Sequence, residues 1–318
     1  MFEQVNKKYS QAAQAFQVAL RAEGEDPALW ARLGEAYAKS GKQVAALKAL
    51  RKALEIHPES WICYYHIACV QHELGLEQQA IESLQKVLEL TPNQPGVMVM
   101  LATVRLSLGK QQSHDGFRAR ARINLTSALQ SLRPIVQAKL YRPATWKTIG
   151  EICLHLWGAC QSQEDVAEVK EAVSPILSWL QENDTNHATG VKNVVSLAEL
   201  LNTATFNAID ILKAGVCAYA YRADLLKYDT KIPEIALYDL ACALHHLANQ
   251  FKNGEETTRK ATIIAATLNI KKALDIDPTS PTLWNAFGSI AANESPQLAQ
   301  HAYIVALELE PKVSLVFS

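Results

Sequence analysis

The chain has 318 residues, a formal net charge of −1, 49% hydrophobic residues and 20% charged residues. That balance excludes a disordered tail, and the length suits two average domains or one long repeat array. No apolar run reaches the ~18 residues that a transmembrane helix needs, and the first residues lack the apolar core of a signal peptide. The sequence therefore predicts a globular or repeat protein without a membrane segment.

Six cysteines are spread along the chain, and none forms a C-x-x-C pair. Scattered cysteines of this kind are typical of reduced thiols inside the cell. We therefore expect no disulfide framework, and we expect a cytoplasmic location with a nuclear one as the alternative.

The first elements in chain order follow a 34-residue period, after a half-unit at residues 8–20. Its slots hold a large residue, a small one, an aromatic one, two alanines around a bulky apolar residue, and a proline. The slots are filled by Trp30, Gly34, Tyr37, Ala46, Ala53 and Pro58 and, in the next unit, by Ala80 and Pro92. A small residue inside a helix, such as Gly34, lets two helices approach closely. A glycine just after a helix, or a proline beyond it, ends the helix. This tetratricopeptide pattern predicts an all-α solenoid, a right-handed superhelix of antiparallel helix pairs.

The period is stretched in the third and fourth units. A polar insert at residues 110–117 delays the second helix of the third unit and should form a loop or a helix extension. The fourth unit places Trp146 and Gly150 in the first slots. Its second helix is expected at 165–180, where Pro175 should kink or split it.

Further along the chain, a polar break at 183–190 predicts a hinge, and helices are expected near 191–201 and 206–227. A unit then starts at Pro233, and the last unit shows the repeat signature again. Its markers are Pro278, Trp284, Gly288 and Pro311. These signals predict about seven units, irregular in the middle. The sequence therefore predicts three parts of the chain: regular repeats with an extended third unit (1–133), an irregular repeat (134–182) and C-terminal repeats with inserts (183–318).

Both ends of the array look unfinished. The chain starts inside a unit and ends on an apolar run, whereas repeat arrays need polar caps. We therefore expect a fragment of a longer solenoid.

Several stretches resemble one particular family, the scaffold subunits of the superkiller (Ski) complex. They are residues 29–37, 45–56, 146–153, 236–241, 272–278 and 283–288. The resemblance implies a cytoplasmic, non-catalytic scaffold that holds an RNA helicase and a β-propeller protein and delivers messenger RNA to the exosome for 3′-to-5′ decay. The family's propeller-binding signature begins with Gln-Arg, and this chain contains no Gln-Arg pair.

The first helix of each repeat lines the inner groove of such a solenoid. In the first two units the predicted groove residues are Glu35, Lys39, Ile62, Tyr65, Cys69 and His72. Adaptors that hold a chaperone's terminal carboxylate need Lys and Asn where this chain has Ala31 and Glu35, and Glu35 would repel a carboxylate. The part apolar, part aromatic groove instead favours a helix or an extended peptide.

Residues 105–147 contain nine Lys or Arg and a single acid, Asp115. The candidate patch is Arg118, Arg120, Arg122, Arg133, Lys139 and Arg142. It could face an acidic protein partner or contact RNA phosphates, but sparse aromatic residues weaken the RNA interpretation. A third interpretation is a solvated face balanced by Glu164, Asp165, Glu168 and Glu171 of the next unit.

Metal binding and catalysis find little support in the sequence. Cys63, His66, Cys69 and His72 recur every third residue, but on one helix they spread around the circumference and cannot enclose a zinc ion. No P-loop, G-x-S-x-G, H-E-x-x-H or G-x-G-x-x-G motif occurs. We expect no metal, no cofactor, no small-molecule substrate and no enzymatic activity.

Two other functions remain open on the sequence alone. One is a scaffold of the same fold in another assembly, such as a ubiquitin ligase or a chaperone platform. The other is the regulatory array of an enzyme whose catalytic domain lies outside these residues.

Overall fold

A computed structural model describes residues 2–138, 143–183, 190–203, 205–226, 233–251, 255–292 and 294–310. Within these ranges the secondary structure is fifteen α-helices and one 3-10 turn, with no strand. The chain folds into two compact units, unit 1 (Met1–Gln112) and unit 2 (Ser113–Ser318). The prediction of an all-α fold is confirmed.

Unit 1 holds six helices, the last of which ends just beyond the unit's boundary. They are α1 (Phe2–Ala22), α2 (Pro27–Lys39), α3 (Gln43–Ile56), α4 (Trp61–Glu73), α5 (Glu77–Leu90) and α6 (Pro95–His114). The insert predicted at 110–117 is therefore mostly a helix extension. A turn at Gly116, with φ +85°, closes it.

Unit 2 holds the remaining nine described helices. They are α7 (Arg118–Gln137), α8 (Pro143–Ala159), α9 (Gln163–Glu182), α10 (Leu197–Asn202), α11 (Ala208–Leu226), α12 (Pro233–Ala248), α13 (Glu256–Ile276), α14 (Pro281–Ala291) and α15 (Pro296–Leu309). The 3-10 turn, Val191–Asn193, precedes α10. The helix predicted near 191–201 is thus interrupted, because Ser196 caps a new helix by accepting a hydrogen bond from the Glu199 N–H.

The pair α2/α3 shows how the repeat works. Asp26 caps α2, since its side chain accepts a hydrogen bond from the Ala28 N–H at 2.7 Å. Gly34 leaves room for α3, because a Cβ atom there would lie 2.5 Å from Leu50 Cγ. Gly41 turns the chain with φ +78°, a conformation that glycine adopts without strain.

The tryptophans of the first and last full units occupy equivalent places. Trp30 donates its indole N–H to the Gly24 carbonyl at 2.8 Å, and Trp284 donates to the Pro278 carbonyl at 2.8 Å. Around them the predicted small positions Ala46, Ala53 and Ala80 are fully buried. Pro58 and Pro92 follow the ends of α3 and α5, whereas Pro311 lies outside the described residues.

In unit 2, the predicted partner of α8 was wrong. α8 packs against α11, not against α9 as its pair: a Cβ atom on Gly150 would lie 2.6 Å from the Tyr219 ring, and one on Gly215 would lie 2.9 Å from Cys153 Cβ. Gly288 and Tyr303 make the same kind of contact in the last unit. α9 and α10 therefore form an insert between the two helices of one repeat.

The insert lies against second helices of the repeats. α9 packs on α7 and α11, and the 3-10 turn contacts α11 and α13. Trp179 of α9 stacks near Trp146 and Tyr221, with ring centroids 5.2 and 5.4 Å away. Pro175 lies inside α9, which continues as one helix and is not split.

Candidate functional site

The open side of α4 presents the predicted groove residues of the second repeat. Cys63, Ile67, Ala68, Val70 and Gln71 are buried on the core side of this helix. Helical periodicity therefore turns the remaining positions outward. Ile62 is 46% exposed, and Tyr65, Cys69 and His72 are half-buried. The structure thus brings these four predicted residues together as one strip, called the α4 face below.

Within the α4 face, Tyr65 and Cys69 lie one helical turn apart and share a hydrogen bond. Burial raises the pKa of the Cys69 thiol above its ordinary value of 9.0. The same effect raises the pKa of the Tyr65 hydroxyl. Both groups are therefore protonated at neutral pH, and the strip offers weak hydrogen-bonding groups and apolar surface without an anion.

His72 is held by a buried acid that was not predicted from the sequence. Its Nδ1 lies 2.6 Å from Oε2 of Glu77, and Ser107 donates its hydroxyl to the other oxygen of Glu77 at 2.6 Å. Glu77 is only 7% exposed and begins α5, where the helix dipole favours a negative charge. The signal available in the sequence was an acid at the start of a predicted helix.

Two other predicted groove residues, Glu35 and Lys39, neutralise each other. Lys39 Nζ donates to Glu35 Oε1 at 2.6 Å, one turn apart on α2. This hydrogen bond lowers the pKa of Glu35 and raises the pKa of Lys39. The pair therefore adds no net charge beside the α4 face.

A groove of about 430 Å³ lies between α2 and α4. Pro27, Ala28, Ala31 and Ile62 give it apolar walls. The other lining residues are polar or charged: Arg32, Glu35, His57, Ser60 and His66. Burial lowers the pKa of His66 below 6.5, so its ring is neutral at pH 7. This volume falls in the range of sites that enclose a small ligand or one large side chain.

The four described arginines of the predicted basic patch lie in different surroundings. Arg122 forms ion pairs with Asp165 and with Glu168, the latter at 3.1 Å, so two of the acids proposed as its balance contact it. Arg118, Arg120 and Arg133 are exposed, and Arg120 lies over the Phe117 ring at 5.3 Å. Lys139 and Arg142 lie outside the described residues.

A buried ion pair in unit 2 was also not predicted. Arg222 of α11 is 8% exposed and pairs with Asp239 of α12. Lys147 Nζ lies 3.9 Å from the same carboxylate. An arginine within the otherwise uncharged run 214–223 was the signal in the sequence, because buried charges require partners.

Metal clusters and membrane-spanning helices are both absent from the described residues. In the part of the chain that the structure describes, no three His, Cys, Asp or Glu side chains lie together as a metal site. Likewise, none of the described helices is both long and apolar enough to cross a bilayer.

The family models that match this chain agree with the repeat geometry. Two tetratricopeptide-repeat family models match residues 27–60 and 63–94. The solved structures of YrrB, a tetratricopeptide-repeat protein with an unusual peptide-binding site, and of the APC/C hetero-tetramer Cut9–Hcn1 are also similar. They are 16% and 13% identical and have TM-scores of 0.45 and 0.49. They cover 92% and 96% of this chain, which corresponds to 98% and 44% of theirs.

Longer sequence matches come from one group of relatives. Superkiller protein 3 of Schizosaccharomyces pombe is 27% identical over 93% of this chain and 21% of its own length. Superkiller complex protein 3 of Homo sapiens is 24% identical over 92% of this chain and 17% of its own length. The chain therefore spans about a fifth of these relatives. It is a tetratricopeptide-repeat solenoid that is homologous, along most of its length, to a segment of Superkiller protein 3.

Proposed function

We propose that this chain is part of a non-catalytic scaffold that assembles proteins in the cytoplasmic superkiller complex, which delivers messenger RNA to the exosome for 3′-to-5′ decay. The expected partners are an RNA helicase and a β-propeller subunit. The observation that carries the proposal is the homology to Superkiller protein 3 along 93% of the chain. The open α4 face supplies a surface suited to such contacts.

The chemistry of the α4 face supports protein binding. Its exposed isoleucine and half-buried tyrosine offer apolar contact area with a few hydrogen-bonding groups. Grooves of this composition bind helical or extended peptides. Ala31 and Glu35 stand where a carboxylate-binding groove needs Lys and Asn, and Lys39 is already paired with Glu35, so a chaperone tail is a poor ligand. We expect contact with RNA to be weak or indirect, because Arg122 is already neutralised and stacking aromatic residues are sparse around the exposed Arg118, Arg120 and Arg133.

The test is recovery of partners by the tagged chain from cell extract, with and without ribonuclease, followed by mass spectrometry. We expect a DExH-type helicase and a β-propeller protein, both insensitive to ribonuclease. Ile62→Asp should reduce their recovery, since a charge on the α4 face opposes an apolar contact. Val44→Asp is the matched control, because Val44 is 66% exposed on α3. Recovery of chaperones or ubiquitin-ligase subunits instead would overturn the proposal.

A further inference from the structure

Helix α12 of unit 2 repeats the outward residues of α4 with identical spacing. The four residues of the α4 face are Ile62, Tyr65, Cys69 and His72, and their counterparts on α12 are Ile235, Tyr238, Cys242 and His245. The four residues of α12 are called the α12 face. Each compact unit therefore carries one such face.

The two faces also match in exposure. Ile62 is 46% exposed and Ile235 is 42% exposed. The tyrosine, cysteine and histidine of each face are half-buried. The alanines that follow Ile67 and Leu240 are fully buried at corresponding positions. Both helices therefore turn corresponding sides toward the core, and the same four kinds of side chain lie on the side away from it.

The core sides of the two helices differ. Four buried positions of α4 hold Cys63, Ile67, Val70 and Gln71, and the corresponding positions of α12 hold Ala236, Leu240, Ala243 and Leu244. Packing tolerates changes among apolar residues when the volume is accommodated. The fourth change replaces a polar residue, since Gln71 hydrogen-bonds to Ser83 and Gln79 of α5. The identity between the helices is thus concentrated on the side that does not pack, which core packing does not explain.

Other described first helices of the repeats do not carry this set. At the same four positions α2 has Ala28, Ala31, Glu35 and Ala38, and α8 has Ala144, Lys147, Glu151 and Leu154. The set is therefore no general requirement of the repeat. It distinguishes α4 and α12 from α2 and α8.

The shared side chains form the same local structure. Tyr238 and Cys242 share a hydrogen bond, as Tyr65 and Cys69 do. Burial raises the pKa of Tyr238 to about 12 and also raises the pKa of Cys242, so both stay protonated at neutral pH. The histidines differ: Glu77 holds His72, whereas His245 Nε2 lies 3.3 Å from Asn249 Nδ2.

Charges of both signs lie next to each face. Beside the α4 face, Glu35 pairs with Lys39. On α12, Asp239 pairs with Arg222. Further charges of both signs are present: Arg32 and Glu73 lie beside the α4 face, and Lys147 and Glu234 lie beside the α12 face. A ligand with a strong net charge of either sign would therefore meet a like charge at each face, which disfavours RNA and acidic peptides.

We propose that the α4 and α12 faces bind the same ligand, an uncharged segment of a partner protein that carries one large apolar side chain. One chain would then hold two copies of that segment. The exposed isoleucine contacts the apolar side chain, and the tyrosine hydroxyl hydrogen-bonds to the segment's backbone. Beside the α4 face, the groove of about 430 Å³ gives that side chain room. This inference rests on the proposed role of the α4 face in protein binding.

The test uses a phage-displayed library of short random peptides, selected on the full chain and on three variants. Ile62→Ala with Tyr65→Ala removes the α4 face, Ile235→Ala with Tyr238→Ala removes the α12 face, and the third variant combines both changes. We expect the two single-face variants to select one shared uncharged consensus with an apolar residue. The combined variant should enrich no peptide.

Calorimetric titration of the selected peptide then gives the stoichiometry. We expect two peptides per native chain and one per single-face variant. Val44→Ala with Ile123→Ala is the control, because both residues are exposed elsewhere, and it should still bind two. If an alanine variant loses its helical circular dichroism signal, Tyr65→Phe or Tyr238→Phe replaces it. Loss of one neutral hydrogen bond should weaken that face by about threefold to tenfold.

The possible failures separate this inference from the proposed function. Different consensus sequences on the two faces, or one peptide per native chain, would overturn the inference and leave the proposed function standing. Selection of acidic peptides, or displacement of the peptide by an RNA oligomer, would overturn the uncharged ligand. No selection on any form overturns the inference, whereas the partner-recovery experiment decides the proposed function independently.

Discussion

The helix pairs α2/α3 and α8/α11 make the same contact from different chain connections. In the first, a short turn joins the helices, and Gly34 lies against Leu50. In the second, α9 and α10 intervene, yet Gly150 lies against Tyr219 in the same way. The repeat is therefore defined by the fit of a small residue to a large one, and its two helices need not be adjacent in sequence.

The pairs differ at one slot of the second helix. The position held by fully buried Ala53 in α3 is held by Arg222 in α11. The arginine requires the carboxylate of Asp239 on α12. The interrupted repeat is thus stabilised at this position by an ion pair with α12, whereas the regular repeat is closely packed there around an alanine.

The largest effect is expected for Asp239→Ala, which leaves Arg222 buried without its acid. Removal of one partner of a buried ion pair costs about 3–5 kcal/mol of unfolding free energy. Denaturant melts measure this loss. Asp275→Ala, an exposed acid on α13, is the control and should stay within about 0.5 kcal/mol. Equal results for both variants would show that the ion pair is not needed.

The shared glycine contact is tested by overpacking. Gly34→Leu and Gly150→Leu should each destabilise the chain by roughly 1–3 kcal/mol, because the new side chain meets Leu50 or Tyr219. Gly158→Ala, on the same helix as Gly150 but with open space around it, should gain up to ~1 kcal/mol. Unchanged melts for Gly150→Leu would mean that α8 and α11 are not a repeat pair.

The insert has its own stabilising cap, which gives a smaller effect. The Ser162 side chain accepts from the Asp165 N–H, and the Asp165 carboxylate accepts from the Ser162 N–H. Ser162→Ala should therefore cost about 1 kcal/mol, measured by thermal or denaturant unfolding. Ser280→Ala is the comparison, because Ser280 is the N-cap of α14 but its side chain makes no capping hydrogen bond. An equal cost for the two substitutions would argue against the capping role.

The same carboxylate gives a pH dependence. Backbone hydrogen bonds from Gln161 and Ser162 lower the pKa of Asp165 below 3.8 in the folded chain. Its contribution is therefore present above pH 3.8 and is lost as the pH falls through the lower folded value. Melts of the native chain and of Asp165→Asn should differ at neutral pH and converge in acid. A difference that persists in strong acid would contradict this.

The smallest effect is expected for the exposed arginines. Arg118→Glu with Arg120→Glu should change stability by no more than about 0.5 kcal/mol, because both side chains are exposed. Arg122→Glu should cost more, since it places a third acid beside Asp165 and Glu168. Partner recovery with the double variant shows whether Arg118 and Arg120 contact a protein. The reverse order of stabilities would contradict the observed ion pairs.

Much of the fold was predictable because the repeat signal is local. Gly34, Ala46 and Pro58 lie within one short span, so their spacing alone predicts a helix pair. The pairing of α8 with α11 could not be predicted, because the insert separates Gly150 from Tyr219 and the 34-residue period is broken there. The α4 face followed from helical periodicity. Glu77 and Asp239 were missed, since their partners lie on other helices and spacing along the chain does not reveal them.

The pairing of α8 with α11 defines the interrupted repeat of unit 2, and one substitution tests it. A Cβ atom at position 215 would lie 2.9 Å from Cys153 Cβ, so the two helices need to separate by only about 0.6 Å to reach the ~3.5–4.5 Å of a disulfide. Gly215→Cys, purified reduced and then oxidised, should form a bond to Cys153 that mass spectrometry of the linked peptides identifies. Free thiols at both positions in a chain that keeps its helical circular dichroism would contradict the pairing.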